Sequence, residues 1–271
     1  MALLEVQRVV KRYRGVTALD AVTLSAEPGE ALGIIGPNGA GKTTLYNVVT
    51  GFARPDAGAV RFRNEAIEGL PPHRIVAKGL ARTFQVPRPF RALTVAAHVE
   101  VVRPSGGPGA ALPPAAEVLD MVGLADKAGD LAATLSQGQL KRLEVARALA
   151  ARPSALLLDE PFAGLGPAEL PGLHVLLRRL HAAGLTLVLI EHKLRELMAL
   201  VQRVVVLDHG AVIAQGPPET VVRDPRVLAA YLGTPTTSEQ AERGAGNSET
   251  GTLNTQHPMP KVQGGTWNRE G

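Results

Sequence analysis

The stretch Gly36-Pro37-Asn38-Gly39-Ala40-Gly41-Lys42-Thr43-Thr44 constrains this chain more than any other. It matches the phosphate-loop pattern G-x-x-x-x-G-K-[ST] at every fixed position: Gly36, Gly41, Lys42 and Thr43. Its flanks agree. Ala31–Ile35 is a short apolar run, as a buried strand requires. Leu45–Gly51 reads as a short helix closed by glycine. Glycines let the loop amides turn inward, and a helix N-terminus adds partial positive charge, so the whole is an anion cradle. Residues 36–44 are therefore the expected contacts to a nucleotide triphosphate. Lys42 would reach the β- and γ-phosphates, and the Thr43 hydroxyl would ligate Mg²⁺.

Composition narrows the classes. The chain has 271 residues, 45% of them apolar but only 3% aromatic, so its core must rest on Leu, Val, Ile and Ala. It has no cysteine, which excludes disulfides, thiolate catalysis and Cys-ligated zinc and fits a reducing compartment. The N-terminus carries an early acid and no long apolar run, unlike a secretory signal. No segment approaches the roughly 18 apolar residues of a membrane span. A soluble, cytoplasmic chain is expected, one able to dock on a membrane protein. The net charge is +4, with scattered arginines and no basic run, so nucleic acid is not an expected partner.

Alternating runs at Leu4–Val10 and Ala21–Ala26 predict antiparallel strands with one wet face. Ala57–Asn64 reads as a further edge strand, and Pro71–Lys78 as a short helix with proline at its start. Residues 85–152 form an expected helical insertion, broken by proline and glycine from Pro104 to Pro114, with helices at Ala115–Val122 and Gln139–Ala151. Ala155–Asp159 and Leu185–Ile190 are uninterrupted apolar runs separated by a helix at Leu170–Ala183, a strand–helix–strand crossover of an α/β core. Arg203–Leu207 and Ala211–Ala214 predict a hairpin, and Glu219–Tyr231 a last helix. Beyond residue 233 the chain is polar and rich in Gly, Ser and Thr, and a disordered tail over 234–271 is expected.

Two further motifs carry chemistry. In Leu156-Leu-Leu-Asp159-Glu160-Pro161, acids close an apolar strand where open α/β sheets bind ligands. Asp159 suits Mg²⁺, through water, and Glu160 suits the base that activates an attacking water. Two acids at a strand end are common by themselves; the phosphate loop upstream favours the catalytic reading. In Thr134-Leu-Ser136-Gln-Gly138-Gln139, Ser136 and Gln139 form the capping box S-x-x-Q ahead of an amphipathic helix. Capping accounts neither for Gly138 nor for the position just before the acidic strand.

With these residues in place, the chain resembles the ABC transporter ATPases. Leu-Ser136-Gln-Gly138-Gln139, its helix and Leu-Leu-Leu-Asp159-Glu160-Pro161 look like that family's signature segment and acidic strand. The resemblance implies a phosphate-loop NTPase core with an N-terminal antiparallel β subdomain and a helical subdomain at about 85–152, together an ABC nucleotide-binding domain over 1–233. It implies Mg²⁺-dependent ATP hydrolysis between two subunits, with Ser136, Gly138 and Gln139 touching the ATP held by the other. It casts Tyr13 as the aromatic stacked on adenine. Gln85 becomes the glutamine that senses Mg²⁺ and the attacking water. His192 becomes the histidine at the γ-phosphate, paired with Glu160, alongside Lys42. Taken alone, such a tyrosine, glutamine or histidine would be read as structural. The family usually has glycine where Gln137 stands, and many relatives carry Asp or Asn where Gly166 stands.

A narrower resemblance covers most of residues 3–233. Gly69-Leu-Pro-Pro-His-Arg-Ile, Gly79–Gln85, Phe90–Val95, Glu191-His192 and the ending Gln215–Gly233 are similar to ATPase subunits of branched-chain amino acid importers. That implies a second ATPase subunit, identical or not, two membrane permeases, and indirectly an extracytoplasmic solute-binding protein, with this chain peripheral on the inner membrane face. Urea or amide importers, lipid or polysaccharide exporters, and non-transport ATPases acting on ribosomes or DNA remain open alternatives at this stage.

Overall fold

The computed structural model describes residues 1–102 and 114–232. The expected tail over 234–271 and most of the proline–glycine break lie outside the described residues.

In chain order the elements are β1 (Leu4–Tyr13), β2 (Val16–Ala26), β3 (Ala31–Ile35), α1 (Lys42–Val49), β4 (Ala57–Phe62), β5 (Glu65–Ala66), α2 (Pro72–Ala77) and β6 (Leu80–Arg82). Then follow α3 (Val95–Glu100), α4 (Ala115–Met121), α5 (Gln137–Leu149), β7 (Ala155–Asp159), α6 (Leu170–Ala182) and β8 (Thr186–Ile190). The last are α7 (Leu194–Met198), β9 (Arg203–Asp208), β10 (Ala211–Gly216), α8 (Pro218–Val221) and α9 (Pro225–Leu232). An antiparallel sheet has the order β2-β1-β4-β5, and a six-stranded sheet the order β10-β9-β3-β8-β7-β6. In the second, β9, β3, β8, β7 and β6 run parallel and β10 antiparallel.

The apolar runs of the parallel strands are explained by burial on both faces. Leu32, Ile34, Leu157, Val188, Ile190, Val205 and Leu207 point into a core shared with α1 and the antiparallel sheet. Their neighbours Ile35, Leu156, Leu158, Leu187, Leu189, Val204 and Val206 point into the core built with the helices that follow. The buried Tyr46 of α1 stitches helix to sheet, its hydroxyl 2.7 Å from the Val188 carbonyl.

Four expectations change. β4 is not an edge strand, because the two-residue β5 pairs outside it. The helix expected over Glu219–Tyr231 is two, α8 and α9, separated just before Pro225, a residue that disfavours helix in its predecessor. β6, three residues long, adds an edge strand beside β7 that no periodicity signalled. Finally, α1 and α5 begin earlier than expected, at Lys42 and Gln137, so the motif residues themselves form the first turns.

Candidate functional site

The phosphate loop leaves β3 and enters α1 with tight contacts on both sides. Gly36 has φ 151°, and a Cβ there would stand 2.1 Å from the Leu207 carbonyl oxygen at the end of β9. Gly41 has φ 102°, and its Cβ would lie 2.5 Å from the Ala18 carbonyl of β2. Only glycine fits either position. The buried Lys42 ammonium donates to the carbonyls of Gly36 (2.6 Å) and Pro37 (2.8 Å). Burial pushes its pKa down, against the opposing pull of the Glu160 and Asp159 carboxylates. Both acids therefore act on the loop lysine, although β8 separates β7 from β3 in the sheet.

Glu160 follows β7 with φ 47°, an uncommon conformation for a non-glycine residue. Its N–H donates to the Ile190 carbonyl at 2.9 Å, which holds the turn against the end of β8. Its carboxylate accepts from Gln85 Nε2 at 2.7 Å on one oxygen and lies 3.2 Å from His192 Nε2 on the other. The structure thus gathers Gln85, Glu160 and His192, three residues far apart in sequence. Lys141 of α5 reinforces the cluster, its buried ammonium donating to the carbonyls of Gln85 (2.6 Å) and Glu160 (3.0 Å). Glu191, 2% exposed, accepts from the N–H groups of Phe162 (2.7 Å), His192 (2.9 Å) and Lys193 (3.1 Å) and so ties both loops together. Burial pushes the Glu191 carboxyl pKa up.

Asp159 is buried and paired. Its Oδ2 lies 2.7 Å from Arg82 Nη2. Arg82 Nη1 also donates to Asn47 Oδ1 (2.7 Å) and Thr50 Oγ1 (3.3 Å) of α1 and its C-terminal cap. The guanidinium lies 5.1, 5.4 and 5.9 Å from the ring centroids of Phe84, Tyr46 and Phe52. The Thr43 hydroxyl, the Gln85 amide oxygen and the Asp159 carboxylate are all oxygen donors, a set suited to a hard divalent cation that keeps several waters.

The capping box at the start of α5 is formed: Ser136 Oγ accepts from Gln139 N–H, and Gln139 Oε1 from Ser136 N–H at 2.8 Å. Among the described residues, no hydrogen bond joins Ser136, Gly138 or Gln139 to residues 36–44 of the same chain. Tyr13 ends β1, opposite Val16 of β2, with its ring exposed and the Lys11 ammonium 5.2 Å from the centroid. Reasoning from sequence missed Arg82, Lys141, Glu191 and Glu169. Lys141 had a signal, a cation four residues before Val145 on an apolar helix face, and Glu191 another, an acid directly after an apolar strand.

Fold and site together define a phosphate-loop ATPase carrying an antiparallel β subdomain. Residues 19–163 match the family described as ABC transporter, and residues 211–236 that described as branched-chain amino acid ATP-binding cassette transporter. The high-affinity branched-chain amino acid transport ATP-binding protein BraF of Pseudomonas aeruginosa is 38% identical over 249 residues, covering 85% of this chain and 98% of that protein. The corresponding LivG protein of Escherichia coli K12 is also 38% identical, with the same coverage. Among solved structures, the ADP conformation of an ATP-binding cassette of an ABC transporter gives a TM-score of 0.77 at 33% identity, covering 86% of this chain and all (100%) of that one. A nucleotide-free cassette gives 0.78 at 32% identity, again covering 86% and 100%. The chain belongs to the ATP-binding subunits of ABC transporters.

Proposed function

We propose that this chain is the ATP-hydrolysing subunit of an importer for branched-chain amino acids or closely related small solutes. The observation that carries the catalytic part is the placement of Glu160 between Gln85 and His192, where its charge acts on Lys42. Residues 36–44 hold the triphosphate, with Tyr13 against the adenine. Glu160 takes the proton of the attacking water, Gln85 and His192 orient it, and Lys42 neutralises phosphate charge. Thr43, Gln85 and Asp159 would hold Mg²⁺, which would supply neutralisation of phosphate charge. No covalent intermediate is needed, because positioning and electrostatics perform phosphoryl transfer.

Ser136, Gly138 and Gln139 act on the nucleotide of a second ATPase subunit, which is consistent with their separation from the loop of their own chain. Two permease subunits recruit the pair to the inner membrane face, and a solute-binding protein delivers cargo from the other side. Among the described residues no helix is long and apolar enough to cross a membrane. The solute assignment is supported by the BraF and LivG likeness and by the match over residues 211–236. Deleting the gene from its source cell tests it. Uptake of radiolabelled leucine, isoleucine or valine should fall, and should return with the wild-type gene but not with Glu160→Gln. Unchanged uptake of all three, with loss of urea or amide uptake, would overturn the assignment.

A further inference from the structure

The signature loop already holds an anion, and that anion belongs to the same chain. Ser136 Oγ lies 3.1 Å and Gly138 N 2.9 Å from Glu169 Oε1, and Gly166 N lies 3.3 Å from Glu169 Oε2. Ser136 is the N-cap of the thirteen-residue α5, whose first amides and dipole favour negative charge. Gly138 makes the close approach possible, since a Cβ there would meet Oε1 at 2.7 Å. Glu169 itself precedes α6, at the far end of the loop that starts from Glu160.

Ser136 and Gly138 are assigned above to the nucleotide of a second subunit, whose γ-phosphate they would touch, and the inference rests on that reading. A carboxylate and a γ-phosphate cannot both accept the single Gly138 N–H and the single Ser136 O–H, and at such separations two like charges repel strongly. We propose that Glu169 is an internal competitor for the nucleotide in trans, a residue that sets the ATP concentration at which two chains close. It keeps the signature donors ordered and satisfied in the lone subunit and is displaced when the partner's triphosphate arrives. Displacement needs only side-chain rotation, because Glu169 is partly exposed and stands at a helix start. The Arg142 guanidinium, whose charge already acts on Glu169, remains close to the displaced carboxylate. ATP affinity in the pair is thus lowered by the fraction of time the carboxylate occupies the cradle.

The test uses the full chain carrying Glu160→Gln, so that ATP is not consumed. Light scattering during a Mg-ATP titration gives the midpoint for dimer formation, with a fluorescent ATP analogue reporting nucleotide binding at dilutions where the chain is monomeric. Adding Glu169→Gln or Glu169→Ala should lower the dimerisation midpoint by about fivefold or more, the lower end of common coupling energies. The alanine variant should shift it further, and monomer nucleotide affinity should not change in either. A midpoint equal to or above the parent's in both variants overturns the proposal, and a raised one assigns Glu169 to supporting the closed pair instead. A parent that stays monomeric at saturating Mg-ATP removes the two-chain reading itself, and the proposal with it.

Discussion

Arg82 and Asp159 form a buried ion pair, 2.7 Å between Nη2 and Oδ2, with side chains only 6% and 7% exposed. Through Asn47 and Thr50 the same guanidinium grips α1, so one side chain ties the acidic strand to the helix of the phosphate loop. Replacing it by Arg82→Met leaves an uncompensated buried carboxylate, and removing one partner of such a pair costs about 3–5 kcal/mol. Urea unfolding should show that loss for Arg82→Met and a smaller one for Arg82→Met combined with Asp159→Asn. Equal losses would mean that the pair contributes nothing specific.

Glu160→Gln keeps the shape of the site and removes the carboxylate proposed as the base. ATP hydrolysis should fall by about 10²–10⁴-fold, the usual range for a lost general base, while nucleotide binding persists. Steady-state turnover and calorimetric binding measured on the same preparation check both halves. Turnover within a few-fold of wild type would take Glu160 out of the role.

The phosphate loop, the strand end Asp159–Glu160 and the capping box Ser136–Gln139 were legible in the sequence because each is a short segment whose local conformation its own residues dictate. Arg82, Lys141, Glu191 and Glu169 were not, because their partners are set by tertiary pairing. Arg82 meets Asp159 only because β6 pairs with β7, and a three-residue strand carries no readable period. Likewise, the insertion of β8 between β3 and β7 is strand order, which apolar runs do not encode. The break in the last helix could have been read: Pro225 disfavours helix in the residue before it.

Gly36→Ala tests the packing of the loop. The added methyl would collide with the Leu207 carbonyl and sit at a positive φ, and strained backbone of this kind costs about 1–3 kcal/mol before any clash. Thermal unfolding should shift down, and calorimetric ATP binding should weaken at least tenfold. Wild-type affinity in this variant would contradict the fit of the loop against β9.

Glu191 makes stability depend on pH. Burial holds its carboxyl above the ordinary carboxylate range, so the folded chain binds this proton more tightly than the unfolded chain does. The stabilisation from that proton is complete below the unfolded pKa, about 4.3 for glutamate, and is lost as pH rises through the folded value. Glu191→Gln lacks this dependence. The unfolding free energy of wild type minus that of the variant should therefore decrease as pH is raised from about 4.5 towards neutrality. A difference that rises or stays flat over that window would contradict the burial of a charged group there.

The sharing of each nucleotide between two chains is directly measurable, because the chain has no cysteine of its own. Two full-length Glu160→Gln chains would be mixed, one with Asn38→Cys in the exposed tip of the phosphate loop and one with Gln137→Cys at the exposed start of α5. With a short bis-maleimide, a covalent dimer should form with Mg-ATP and should be weak or absent with Mg-ADP or without nucleotide. No dimer at saturating Mg-ATP, or the same yield in all three conditions, would contradict it.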